Sequence, residues 1–272
     1  MSRWSNAGRK KLASSPTEIE PLFFESPGGY RLAWRETGEG RPLLLLHGFF
    51  SNAHINWIRY GHAETIAVKG YRLIMPDLRA HGDSAKPHDP EAYPPDILAR
   101  DAIALVEHLG LTDYDLGGYS LGARTVVRMH VLGARPARMI ISGMGLSGLT
   151  ALATRADYFR KVLTGLGEHP RNSPEWMAEA FLKTTGGDPE ALLQILNVFT
   201  NTPEEAIAAI DIPTLVLAGE DDDDNGSHED LAALLPDAEH VEVPGNHMSC
   251  IVKPEFGQAI ADWLGDPSFI AR

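Results

Sequence analysis

Ser120 stands in Gly118-Tyr119-Ser120-Leu121-Gly122, directly after an apolar run at 114–116 and directly before a helical pattern at 123–131. A serine hydroxyl attacks a carbonyl only when a base takes its proton and donors await the charge that the attack creates. A tight strand-to-helix turn would expose that hydroxyl and would tolerate only small neighbours, which Gly118 and Gly122 supply. Leu121 then offers its backbone N–H at the start of a helix. A second apolar run, 43–46, ends in His47-Gly48-Phe49, where the glycine lets the next N–H turn toward a developing oxyanion. Phe49 and Leu121 are therefore the expected oxyanion donors.

The base is expected late in the chain, where Pro244-Gly245-Asn246-His247 follows the last apolar run. Of 11 histidines, His247 alone occupies a loop after the final strand with a turn just before it. His47 reads instead as support for the oxyanion loop, and His81 as part of the turn 77–84. The acid should follow the preceding strand, 214–218, where Glu220, Asp221, Asp222, Asp223 and Asp224 all stand. Asp222, third after Gly219, is placed where a loop can turn back toward the histidine; Asp221 is next. The other location for an acid, after 138–141, reads Ser142-Gly143-Met144-Gly145 and has none. The expected chemistry has His247 take the Ser120 proton while Asp222 holds the imidazole. Asp221, Asp223, Asn225 and Gly226 imitate the opening of a calcium loop. Its twelfth position is Ala232, not a bidentate glutamate, so neither a metal nor a cofactor is expected.

These side chains need a scaffold, and the chain announces one. Apolar runs at 43–46, 72–75, 114–116, 138–141, 214–218 and 240–243 alternate with helical patterns, which predicts a mostly parallel central sheet flanked by crossover helices. The runs at 43 and 214 are continuously apolar, as strands covered on both faces are. Leu98, Ala102, Leu105, Val106 and Leu109 form one helical stripe stopped by Gly110. Segments 22–25 and 30–36 flank Pro27-Gly28-Gly29, predicting a β-hairpin at one edge. From about Ser147 to Ala209 the strand rhythm gives way to helical stretches, with Pro174, Pro189 and Pro203 at first turns. The expected layout is a poorly ordered extension over 1–20, a core over 21–146 and 210–272, and a helical lid over 147–209.

At 272 residues the chain suits one α/β domain with an insertion. Its 24 basic and 37 acidic residues give a formal charge of −13, unfavourable for binding nucleic acid or an anionic lipid surface. The single cysteine, Cys250, excludes an intramolecular disulfide, and residues 1–11 are basic without an apolar stretch, which together fit a cytoplasmic protein. No window approaches a membrane span. The oligomeric state is not encoded in any of these features.

His47-Gly48-Phe49, the turn 77–84, Gly118 to Gly122, Gly219 to Asp222 and Gly245 to His247 together resemble the α/β-hydrolase superfamily, closest to its lidded serine esterases and related carbon–carbon bond hydrolases. Ala80 stands where the family usually has glycine. Serine at 120 argues against the haloalkane dehalogenase and epoxide hydrolase branches, which use aspartate there. The resemblance implies hydrolysis of a carboxylic ester of a small hydrophobic molecule through an acyl-enzyme. Carbon–carbon bond hydrolysis is the alternative, and a ligand receptor with slow turnover a more distant one. Phe50, Trp57, Met144, Leu146 and Met248, with Phe49, are the expected pocket lining.

Overall fold

The computed structural model describes residues 19–151 and 153–266, so the expected extension over 1–20 lies almost wholly outside the described residues. Eight strands form one sheet: β1 (Leu22–Glu25), β2 (Arg31–Thr37), β3 (Arg41–Leu46), β4 (Tyr71–Pro76), β5 (Asp115–Tyr119), β6 (Met139–Ser142), β7 (Thr214–Gly219) and β8 (Ala238–Val243). Their order is β1-β2-β4-β3-β5-β6-β7-β8. The hairpin β1–β2 joins β4 antiparallel, and every pair from β4 to β8 is parallel. The sheet is thus mixed at one edge, as the Pro-Gly-Gly turn predicts.

Alternation along the central strands builds two cores. Leu44 and Leu46 of β3 face one layer with Ala102, Leu105, Val126 and Leu231, while Leu43 and Leu45 face the other with Ile66, Phe256 and Ile260. The first layer is carried by α2 (Ile97–His108), α3 (Leu121–Val131) and α9 (His228–Leu234), the second by α1 (His62–Ala67) and α10 (Pro254–Leu264). Being covered on both sides is why residues 43–46 of β3 and 215–218 of β7 are apolar without interruption.

Between β6 and β7 come five helices: α4 (Leu146–Thr150), α5 (Ala153–Thr164), α6 (Pro174–Thr185), α7 (Pro189–Asn197) and α8 (Glu204–Ala208). Ser173 and Asp188 cap α6 and α7 by accepting from backbone N–H groups of the first turn, and the following prolines need no donor there. Leu182, Leu192 and Ile195 tie the insertion to the first core layer.

Candidate active site

Because β3, β5, β7 and β8 run parallel, their C-terminal ends share one rim, and each delivers one part of the site. Ser120 follows β5 with φ 53° and ψ −111°, a conformation a non-glycine residue holds only under constraint. The constraint is steric. A Cβ on Gly118 would come within 2.3 Å of the Gly122 backbone, and one on Gly122 within 2.2 Å of the Leu46 carbonyl, so strand, turn and α3 close up only with glycine at both.

His247 follows β8. Its Nε2 lies 3.1 Å from Ser120 Oγ and its Nδ1 2.9 Å from Asp222 Oδ2. Asp222 is 4% exposed, whereas Glu220, Asp221, Asp223 and Asp224 are exposed. The backbone decides this register: Glu220 N–H donates to Val243 O and Asp221 N–H to Gly245 O, joining the acid loop to the histidine loop, and Asp222 N–H turns back to Gly219 O. Burial opposes the charge of Asp222. The hydrogen bond from His247 and the proximity of His247 and His228 outweigh it and hold the carboxyl below its ordinary range. Its second oxygen accepts from Asp224 N–H at 3.2 Å.

On the opposite side, Gly48 lies against the nucleophile, its hypothetical Cβ 3.5 Å from that of Ser120. Gly48 N–H donates to Asn56 Oδ1 at 3.0 Å, and Ser51 N–H to Gly48 O at 3.2 Å. Phe49, next in the loop, lines the same cavity as Ser120, and Leu121 opens α3 with no intrahelical acceptor for its N–H.

Ser120, His247, Phe49, Phe50 and Met248 line a cavity of about 520 Å³, a size that accepts a small organic molecule. The expectation fails for three residues. Trp57 is fully buried in the second core layer, 6.4 Å from the Phe256 ring, because neighbours on a helical turn diverge: Ile55 and Asn56 line the cavity and Trp57 does not. Met144 is buried in the first core layer, and Leu146 opens α4, where its N–H is taken by Ser227 O. The wall is completed instead by α5 and α6, through Arg155, Tyr158, Phe159, Met177 and Phe181.

Two contacts around the base lie outside the expected site. The Tyr119 ring stacks on His247 at 5.2 Å between centroids, and its hydroxyl donates to the His247 carbonyl. His228 lies behind the acid, its Nε2 3.9 Å from Asp222 Oδ2, beyond hydrogen-bond reach. A tyrosine inside the elbow motif hints at the first; the second depends on α9 folding back over β7. Of the calcium-like positions, Asn225 is turned elsewhere, its Nδ2 donating to Gly143 O, and the intervening Asp222 and Asp224 bind His247 and Arg155.

A mostly parallel eight-stranded sheet with a serine elbow between its central strand and the next helix defines an α/β-hydrolase. The chain belongs to the alpha/beta hydrolase family, whose pattern matches residues 43–262. It is 26% identical over 272 aligned residues to a non-heme haloperoxidase from Rhodococcus erythropolis, covering 86% of this chain and 95% of that protein. Among solved structures, a thermophilic esterase from Thermogutta terrifontis superposes with a TM-score of 0.73 at 26% identity, over 90% of this chain and 98% of the esterase. An esterase from Exiguobacterium antarcticum shares the fold at a TM-score of 0.74 and 19% identity, over 91% and 100% of the two chains. The protein is a hydrolase of this fold, and no described helix is long and apolar enough to cross a membrane.

Proposed function

We propose that the chain is a serine hydrolase that cleaves carboxylic esters of small, largely hydrophobic molecules through an acyl-enzyme. The observation that carries this reading is the unbroken series Ser120 Oγ, His247, Asp222 at the wall of a cavity lined mainly by apolar side chains. In the proposed mechanism His247 Nε2 removes the Ser120 proton as Oγ attacks the ester carbonyl, and Asp222 stabilises the resulting imidazolium. The Phe49 and Leu121 N–H groups receive the oxyanion. Collapse of the tetrahedral intermediate breaks the C–O bond, and the imidazolium returns its proton to the leaving alcohol. Water, deprotonated by His247, then attacks the acyl carbon and releases the acid and Ser120. Helices α5 and α6 act as a lid that selects the acyl group. The similarity to an esterase over nearly the whole chain supports the ester reading.

A fluorophosphonate probe should label Ser120 and no other serine, and Ser120→Ala should abolish multiple-turnover hydrolysis of p-nitrophenyl esters. Asp222→Asn should keep the fold and lower kcat by about 10⁴, by analogy with the same substitution in a serine protease triad. An adduct elsewhere, or an active Ser120→Ala enzyme, would overturn the assignment. Extending the panel to 1,3-diketones tests the carbon–carbon alternative.

A further inference from the structure

Within the acidic run, Asp224 has no part in the proposed chemistry, yet it faces the cavity. Its Oδ2 accepts from an Arg155 terminal nitrogen at 2.7 Å. Arg155 is the sole lysine or arginine among the cavity's described lining residues, and its guanidinium lies 4.8 Å from the Phe159 ring centroid and 5.3 Å from that of Tyr158. Arg155 and Phe159 are four residues apart on α5 and share a face. At one end of that face Phe159 packs edge-on against Phe49 and Phe50 of the oxyanion loop, at 4.8 and 5.2 Å. At the other end the ion pair reaches Asp224, whose backbone N–H holds Asp222 Oδ1. One side of α5 therefore touches the loop that would bind the oxyanion and the loop that carries the acid.

We propose that the Arg155–Asp224 pair is an ionic strap that fixes α5 over the cavity, setting the length of acyl group accepted and steadying the loop that presents Asp222. Arg155 and Asp224 are specificity-determining and positioning residues; neither touches the reacting atoms. This rests on the serine-esterase reading above. The strength of the strap follows from its exposure. The Arg155 and Asp224 side chains are 27% and 42% accessible, so water competes for them and the pair shifts the open–closed equilibrium by about fivefold at most. Stacking on Phe159 keeps one guanidinium face dry and favours the closed arrangement without locking it. A strap of that strength opens readily for substrate entry. Phe159 and Phe181 line the same cavity, and with the strap closed over them that wall holds the accepted acyl group to short and medium lengths.

The test compares wild type, Arg155→Met, Asp224→Asn, the double variant and the charge exchange Arg155→Asp with Asp224→Arg. Each is assayed on p-nitrophenyl acetate, butyrate, octanoate and dodecanoate at low salt and at 1 M NaCl. Each single variant should raise the dodecanoate-to-butyrate ratio of kcat/KM by about three- to fivefold, and the double variant should add nothing further. The charge exchange should restore the wild-type ratio. In 1 M salt, where screening acts within about 3 Å, wild type should approach the variants. Additive effects of the two substitutions, or ratios that do not move, would sink the strap. Asp224→Asn is nearly isosteric, so it remains informative if Arg155→Met proves unstable. Fluorophosphonate labelling of every variant separates the two ideas: unlabelled Ser120 in wild type overturns the serine-esterase reading, whereas normal labelling with unmoved ratios overturns the strap alone.

Discussion

His47 shows how strictly a single side chain near the site is specified. Its Nδ1 lies 2.8 Å from Gly48 O and must donate, while Nε2 accepts the Leu78 N–H at 2.9 Å, so only one neutral tautomer satisfies both. Burial lowers its pKa from 6.5 to about 4. His81, with its ring 5.0 Å from that of His47, is lowered to about 3, by burial first and by His47 second. An unfolded chain protonates both near pH 6.5 and the folded one does not, so the unfolded state binds more protons and stability falls as pH drops from about 6.5 through 4 toward 3. Asp101 acts in the opposite sense. Burial raises it to about 6 despite its two-pronged bond to Arg79, so the folded state takes up that proton first and gains stability between about 6 and 3.8. Two histidines outweigh one carboxyl, and the urea midpoint should be clearly lower at pH 4.5 than at pH 7.5, with a smaller drop in His81→Phe. A midpoint independent of pH would contradict this account. That Ser120 and His247 would meet, as they do at 3.1 Å, was legible in the sequence because each is marked by its immediate neighbours. The choice of Asp222 over Asp221 was only favoured by spacing; it is decided by Asp221 N–H reaching Gly245 O, a contact between loops.

The elements were legible to unequal degrees. Strands covered on both faces announce themselves as apolar runs, and β3 and β7 fall where those runs are. Helices α6 and α7 start at the prolines that favour a first turn. What the sequence could not convey is which faces meet across the cavity: Arg155 and Asp224 are 69 residues apart, and no local pattern links them. Trp57 departs from expectation for a related reason, since the turn His54–Ile58 directs Ile55 and Asn56 to the cavity and Trp57 into the second core layer. If α5 and α6 form a lid, trimming its inner face should alter selectivity more than stability. Phe181 lines the cavity and is only half-buried. Phe181→Ala should increase relative kcat/KM for branched or aromatic acyl esters, while costing about 1–2 kcal/mol in urea unfolding. Unchanged relative kcat/KM across that panel would remove α6 from substrate selection.

At the scale of the whole molecule, an acidic body with a charge of −13 surrounds a cavity whose edge carries exposed Tyr60, Met177, Met248 and Val252. That edge matches the hydrophobic esters proposed above, and the net charge disfavours approaching anions. Beneath the site lies Cys250, the chain's one thiol: fully buried, raised in pKa by burial, and 3.6 Å from the hydroxyl of the tyrosine that stacks on His247. A disulfide reagent can reach it only when the layer supporting His247 opens, and only the thiolate reacts. The protein therefore contains its own stopwatch: the rate at which Cys250 is modified under native conditions, divided by its rate in urea, measures how often the floor under His247 comes apart. Native modification should be slower by at least about 10³, and slower still once Ser120 is occupied by a phosphonate; rapid native labelling would mean that the floor is loose. The urea dependence of the native rate would then reveal whether that floor opens alone or only with the entire chain.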